Sequence, residues 1–170
     1  MQCIGKDKIS GVIYFFSLMF FTSLGAASFT VSSNTDSGVG SLRQAILNLN
    51  ASSDLSNTIT INPGLSPIVL SSDLPIIQKP VNISTTGAVP QVINGNSQFR
   101  LIASSAPLSI ANCTLQNGAA IGGNGATGMN ISGGGGMGAG GGIYLDQNQS
   151  LVLSSNVTLS NNIAKGGSGG

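Results

Sequence analysis

Short triplets with apolar residues at the first and third positions recur along most of this chain, and they constrain its fold more than any other feature. They are Ile59-Thr60-Ile61, Ile68-Val69-Leu70, Val81-Asn82-Ile83, Leu108-Ser109-Ile110, Cys113-Thr114-Leu115, Ile143-Tyr144-Leu145, Leu151-Val152-Leu153 and Val157-Thr158-Leu159. Each reads as a strand with two side chains on one face and the middle one on the other. None is long enough to be stable alone. Gly, Asn, Ser, Asp and Pro separate them, which are turn formers rather than helix formers. Many short strands without intervening long helices predict a chain that coils and stacks its strands on itself.

The chain aligns with itself. Asn112-Cys113-Thr114-Leu115-Gln116-Asn117 matches Asn156-Val157-Thr158-Leu159-Ser160-Asn161 at an offset of 44 residues, and Leu108-Ser109-Ile110 matches Leu151-Val152-Leu153 at 43. The pieces beginning at Leu101 and Tyr144 are also 43 apart, which extends the same register. A glycine-rich stretch, Gly118 to Gly142, separates the copies. If it loops out, the unit is about 20–25 residues, the size of a short solenoid repeat. Ser52-Ser53-Asp54-Leu55 and Ser71-Ser72-Asp73-Leu74, offset by 19, point to a similar period. The helical runs or fixed Leu spacing of ankyrin, tetratricopeptide and leucine-rich repeats are missing. A parallel β-solenoid is the expected fold, because no coil buries its own apolar face and stacking makes one continuous core.

Composition supports an ordered, weakly charged chain. Of 170 residues 25 are Gly and 6% are charged, with no His or Trp. Disordered chains have the opposite balance of charge and apolar residues. A net charge of +1 gives no electrostatic basis for a nucleic-acid partner. The first 27 residues read as a signal peptide: Lys6 and Lys8, an apolar core from Gly11 to Leu24, then Gly25-Ala26-Ala27-Ser28 for cleavage after Ala27 or Ser28. The competing reading is an uncleaved anchor, for which the apolar stretch is short and carries Ser17, Thr22 and Ser23. With Cys3 in the leader, Cys113 stands alone at the repeat position of Val157 and reads as a small core residue.

Residues 28–57 read as an N-terminal cap. Phe29-Thr30-Val31 can open with a strand, Asn34 to Gly38 is a turn, and a helix is predicted over 41–50. Leu42, Ala45, Ile46 and Leu49 give it one apolar face. Ser41 with Gln44 three residues later has the capping-box pattern. A helix here suits a lid, since an open end of stacked strands invites association. Coils follow over 58–120: Thr58–Ile61, Pro67–Leu70 and Leu74–Ile77 as the first, Val81–Ile83 with Gln91–Gly95 as the second, and Arg100–Ala103, Leu108–Ile110 and Cys113–Leu115 as the third. Residues 121–141 are expected to form an extruded, mobile glycine loop, and 142–170 a further coil. The chain stops at Gly166-Gly167-Ser168-Gly169-Gly170, where another coil would start, so it reads as the N-terminal piece of a longer array.

Ser41-Leu42-Arg43-Gln44-Ala45-Ile46, after Thr35-Asp36-Ser37-Gly38 and before Asn57-Thr58-Ile59-Thr60, resembles the Ser-Leu-Arg-Glu/Gln-Ala-Ile segment of large bacterial surface β-helix proteins. Gly141-Gly142-Ile143 is similar to the Gly-Gly-Ala-Ile repeat of polymorphic outer-membrane protein and autotransporter adhesin passengers. Leu159-Ser160-Asn161-Asn162 resembles their companion Phe-x-x-Asn motif, with Leu159 in place of Phe and Asn162 retained. The resemblance covers nearly all of 29–170. It implies an all-β, right-handed parallel β-helix with a short capping helix, displayed at the outer membrane or cell surface, often by a C-terminal translocator barrel. Host or neighbouring cell-surface molecules would then be the partners, and no cofactor is implied.

Other chemistry is weakly supported. Gly123-Asn124-Gly125-Ala126-Thr127-Gly128 spells the dinucleotide fingerprint, but Met129-Asn130-Ile131 and four glycines follow where a helix is required. A calcium-binding glycine repeat needs Asp at fixed spacing, and none lies between Asp73 and Asp146. Parallel β-helices include polysaccharide lyases and glycosidases, which use clustered carboxylates. The best enzyme case here is Asp54 stacked on Asp73, one coil over the other. Their shared Ser-Ser-Asp-Leu context equally fits turn carboxylates bonded to nearby backbone N–H groups. Arg43 and Arg100 read as a helix-face and a strand-edge charge, and the pairs Asn112/Asn156 and Asn117/Asn161 as amide stacks at equivalent turns. The expectation is a non-enzymatic exported scaffold that self-associates when its last coil is left uncovered.

Overall fold

The computed structural model describes residues 25–126 and 133–170. The expected leader therefore lies outside the described residues up to position 24. The chain folds as β1 (Ala26–Val31), α1 (Leu42–Ala51), β2 (Ser56–Ile61), β3 (Ile68–Val69), β4 (Val81–Thr85), β5 (Gln91–Asn94) and β6 (Ile102–Ser104). There follow β7 (Leu108–Ala111), β8 (Cys113–Gln116), β9 (Ala119–Ile121), β10 (Ile143–Leu145), β11 (Leu151–Leu153), β12 (Thr158–Ser160) and β13 (Ile163–Lys165). Four sheets run along the stack, in the orders β1-β2-β4-β7-β11, β3-β5-β8-β12, β6-β10 and β9-β13, and every strand pairing is parallel.

Parallel stacking puts like on like. Ile59 lies on Ile83 and Ile83 on Ile110, all fully buried, while Thr58, Asn82 and Ser109 form the outward column beside them. Ile68, Ile93 and Leu115 form the equivalent inner column of the second sheet. Each such side chain contributes about 1.5–3 kcal/mol by leaving water, a gain available only once the next coil covers it. Cys113 belongs to this core, fully buried with its thiol pushed up in pKa by burial.

The two sequence copies stack directly: Leu108 pairs with Leu151 and Thr114 with Thr158, so the glycine-rich stretch is an insertion within one turn of the solenoid. The register across that insertion is not uniform. Tyr144 pairs with Ala103 and Ile143 with Ile102, so the Leu101–Tyr144 alignment is two residues out of step. The insertion has a different length on entry to each face. The Leu74–Ile77 piece is also no strand, and only Ile77 bridges, to Ser104. Pro75 within it has no N–H to give a ladder. Strands β9 and β13, rich in alanine and glycine neighbours, carry no apolar-x-apolar signature.

The helix closes the first end. Leu42, Ala45, Ile46 and Leu49 are buried against Val31, Ile59, Ile61 and the Ile68–Ile77 turn. Ser41 Oγ accepts from the Gln44 N–H at 3.1 Å, which is half of a capping box. The other half is absent: the Gln44 amide donates to Asn48, and the Ser41 N–H goes to the Gly38 carbonyl. β1 pairs from Ala26 to Val31 on β2, so a cut after Ala27 removes the Ala26–Ser56 and Ala27–Asn57 rungs and leaves Ser28–Val31 paired.

Candidate functional site: a polar seam and a set of glycine rails

Arg43 leaves the polar side of α1 and ties three segments together. Its guanidinium pairs with Asp36 at 2.8 Å and donates to the carbonyls of Asp36, Ser72 and Asp73. Asp36 also accepts from Ser71 Oγ at 2.7 Å. Burial alone would raise the Asp36 carboxyl, but the hydrogen bonds from Arg43 and Ser71 outweigh it and hold the pKa below its ordinary value. At the far end of the helix the Asn50 amide donates to the Ile76 carbonyl and accepts from the Gln78 N–H. The lid is thus bolted at both ends to the turn beneath it. Ser41, Leu42, Gln44, Ala45 and Ile46 serve that lid through cap and core, and Arg43 through its carbonyl contacts.

The seam continues across the coils. Asp73 Oδ1 accepts from the Arg100 backbone N–H at 2.8 Å. The Arg100 guanidinium donates to the carbonyls of Ala139 and Gly140 and lies 5.2 Å from the Tyr144 ring centroid. Both arginines are therefore stitches between coils rather than free face or edge charges. Asp54, by contrast, bonds Ser52. The stacked Asp54–Asp73 pair does not form: β2 lies on β4 in a register that places Asn57 on Val81, and a coil step is longer than the 19 residues between the two acids. Among the described residues no three His, Cys, Asp or Glu side chains come together to hold a metal ion.

Gly141-Gly142-Ile143 and Leu159-Ser160-Asn161-Asn162 meet in space. Asn162 Oδ1 accepts from the Gly118 N–H at 2.7 Å and its amide donates to the Leu115 carbonyl at 3.0 Å. A Cβ on Gly142 would meet the Asn162 amide, and one on Gly141 would collide with the Ile163 backbone. Gly141 and Gly142 in turn accept from the N–H groups of Leu101 and Ile102. Ile143 is half-buried on Ile102, and Leu159 is exposed above Leu115. Asn112, Asn117, Asn156 and Asn161 share one left-handed conformation, with φ of 52°, 53°, 56° and 53°. The amide contact runs from Asn117 to Asn94, while the Asn112 amide bonds the carbonyls of Thr85 and Gly87, so the expected 112/156 and 117/161 stacks are replaced by bonds to the preceding coil.

The described part of the glycine stretch is tethered rather than extruded. Gly122 and Gly125 donate to the carbonyls of Lys165 and Ser168, Gly133 and Gly136 to Ala126 and Gly123, and Gly167 and Gly170 to Gly136 and Gly133. Donors three residues apart on each segment give the three-residue period of polyproline II, which makes no internal hydrogen bonds. Three rails result, two parallel and the middle one reversed. Glycine is needed here for approach: a Cβ on Gly122, Gly125, Gly135 or Gly167 would collide with a carbonyl of a neighbouring rail.

Two concavities lie on this surface. A cleft of ≈ 340 Å³ is lined by Asp73, Leu74, Pro75, Ile76, Arg100 and Ala103. A shallower groove of ≈ 260 Å³ crosses the β2, β4, β7 and β11 strands beside Asn82, Ser109 and Val152. The polar groups in the cleft are occupied by bonds between coils, so the arrangement's work is mechanical. No helix among the described residues is long and apolar enough to cross a membrane. Comparison with protein-family models, curated proteins and solved structures yields no match for this chain.

Proposed function

We propose that this chain is an exported, non-enzymatic scaffold: the lid-bearing start of a surface β-solenoid that holds loops away from a cell, in the manner of an adhesin passenger. The observation that carries this reading is the seam from Asp36 through Arg43, Asp73 and Arg100 to Ala139 and Gly140. It spends the ionic groups of the lid and third sheet on joining coil to coil. A stiff stack with one closed end and uncharged, hydroxyl-rich outer columns suits display. The leader-like first 27 residues support export, and the Ser-Leu-Arg-Gln-Ala-Ile and Gly-Gly-Ile motifs support the surface-passenger class.

Expression of the full chain in a Gram-negative host tests the reading. The expected result is a product processed near Ala27 and recovered outside the cytoplasm. An unprocessed cytoplasmic product would overturn the export step. Release of unsaturated or reducing sugars from acidic polysaccharides with calcium would overturn the non-enzymatic reading in favour of a β-helix lyase or glycosidase.

A further inference from the structure

The two ends of the stack differ. One is covered by α1; the other presents β11, β12 and β13 with no further coil. Positions that are sealed in one coil are open in the next: Leu153 is 42% exposed where its ladder partner Ile110 is 0%, and Leu159 is 47% where Leu115 is 0%. Leu151 and Ile163 are likewise exposed above buried Leu108 and Ala119. A second observation comes from the glycine rails. Gly166 and Gly169 have room for a Cβ, with nearest atoms at 3.6 and 3.9 Å, yet both are glycine. Their own packing does not require it, and a bare backbone there leaves space for close approach by something else.

We propose that this last coil docks a second copy of the chain, tail to tail. Whatever covers the face must meet apolar triplets, unpaired strand edges and bare glycine backbone together, and another coil of this solenoid has all of these. The helix removes the opposite end as an acceptor, so head-to-tail stacking is closed off and a two-fold pair remains. In that pair β11 lies antiparallel to its mate, centred near Val152, and the inward leucines of both copies share one interior. Residues 143–170 carry one acid, Asp146, and one base, Lys165, so like faces meet without net charge. The pair is a closed dimer rather than a fibre.

Sedimentation velocity of the full chain over a concentration series, with Leu153→Lys, Val152→Cys and Val39→Cys variants, tests this. Val39 is an exposed control on the loop before the lid. The expected results are a monomer–dimer equilibrium, at least about tenfold weaker association for Leu153→Lys because an inward charge blunts an edge strand, and a disulfide-linked dimer for Val152→Cys only. Circular dichroism of Leu153→Lys separates lost docking from lost folding; an unfolded variant shifts the decision to the cysteine pair. A monomer at all concentrations, open-ended polymers, or equal cross-linking through Val39→Cys would overturn the proposal.

Discussion

At the scale of single residues, Arg43 and the left-handed asparagines bear the most on stability. Arg43→Ala removes the bonds to Asp36, Ser72 and Asp73 together and leaves a half-buried carboxylate unpaired. A loss of roughly 2 kcal/mol is expected, read as a lower denaturation midpoint. The same pair sets an acid limit. Because the folded Asp36 pKa lies below the ordinary 3.8, its contribution is complete above that value and fades as pH falls through the folded one. Urea midpoints measured from about pH 5 down to about pH 2 should drop for the parent chain, and by less for Asp36→Asn. Asn117 sits at φ 53°, so Asn117→Val is expected to cost about 1–2 kcal/mol and Asn117→Gly far less, measured by thermal unfolding.

Among the elements, the glycine rails invert the usual meaning of a glycine run. Freedom would make every position equivalent, whereas close packing separates those that touch a neighbour from those that do not. Gly141→Ala and Gly167→Ala would drive a Cβ into backbone and are expected to cost about 1–3 kcal/mol or more. Gly123→Ala meets nothing within 4 Å and should be close to neutral. Equal effects at all three positions, in matched unfolding curves, would count against the rails. The motif Leu159-Ser160-Asn161-Asn162 works similarly as an element: Asn161 turns the chain, and Asn162 fills the space that Gly142 leaves.

For the whole molecule, a stack of coils is nearly one-dimensional, with each layer stabilised by its neighbours. The layers covered on both sides hold the fully buried Ile83, Ile93, Ile110 and Leu115, while the last layer is covered on one side only. Amide hydrogen exchange of the monomer should therefore be slowest in β4, β5, β7 and β8 and fastest in β11, β12 and β13. Dilution below the dimer range should leave that order unchanged and accelerate the last layer further. Uniform protection would show that the coils do not open separately.

The sequence by itself determined the solenoid, the lid and the parallel stacking of 108–115 on 151–159, because apolar period and internal repetition are local patterns that survive without coordinates. It also marked Ser41 as the cap and the apolar face of α1. The tertiary structure decided what lies between the repeats: the shifted pairing of Tyr144 with Ala103, the separate partners of Asp54 and Asp73, and the packing of the glycine rails. Those depend on insertion lengths and on backbone groups that carry no side-chain signal. Glycine has the same letter whether it loosens a loop or lets two backbones touch, and only the neighbouring carbonyls tell the two apart.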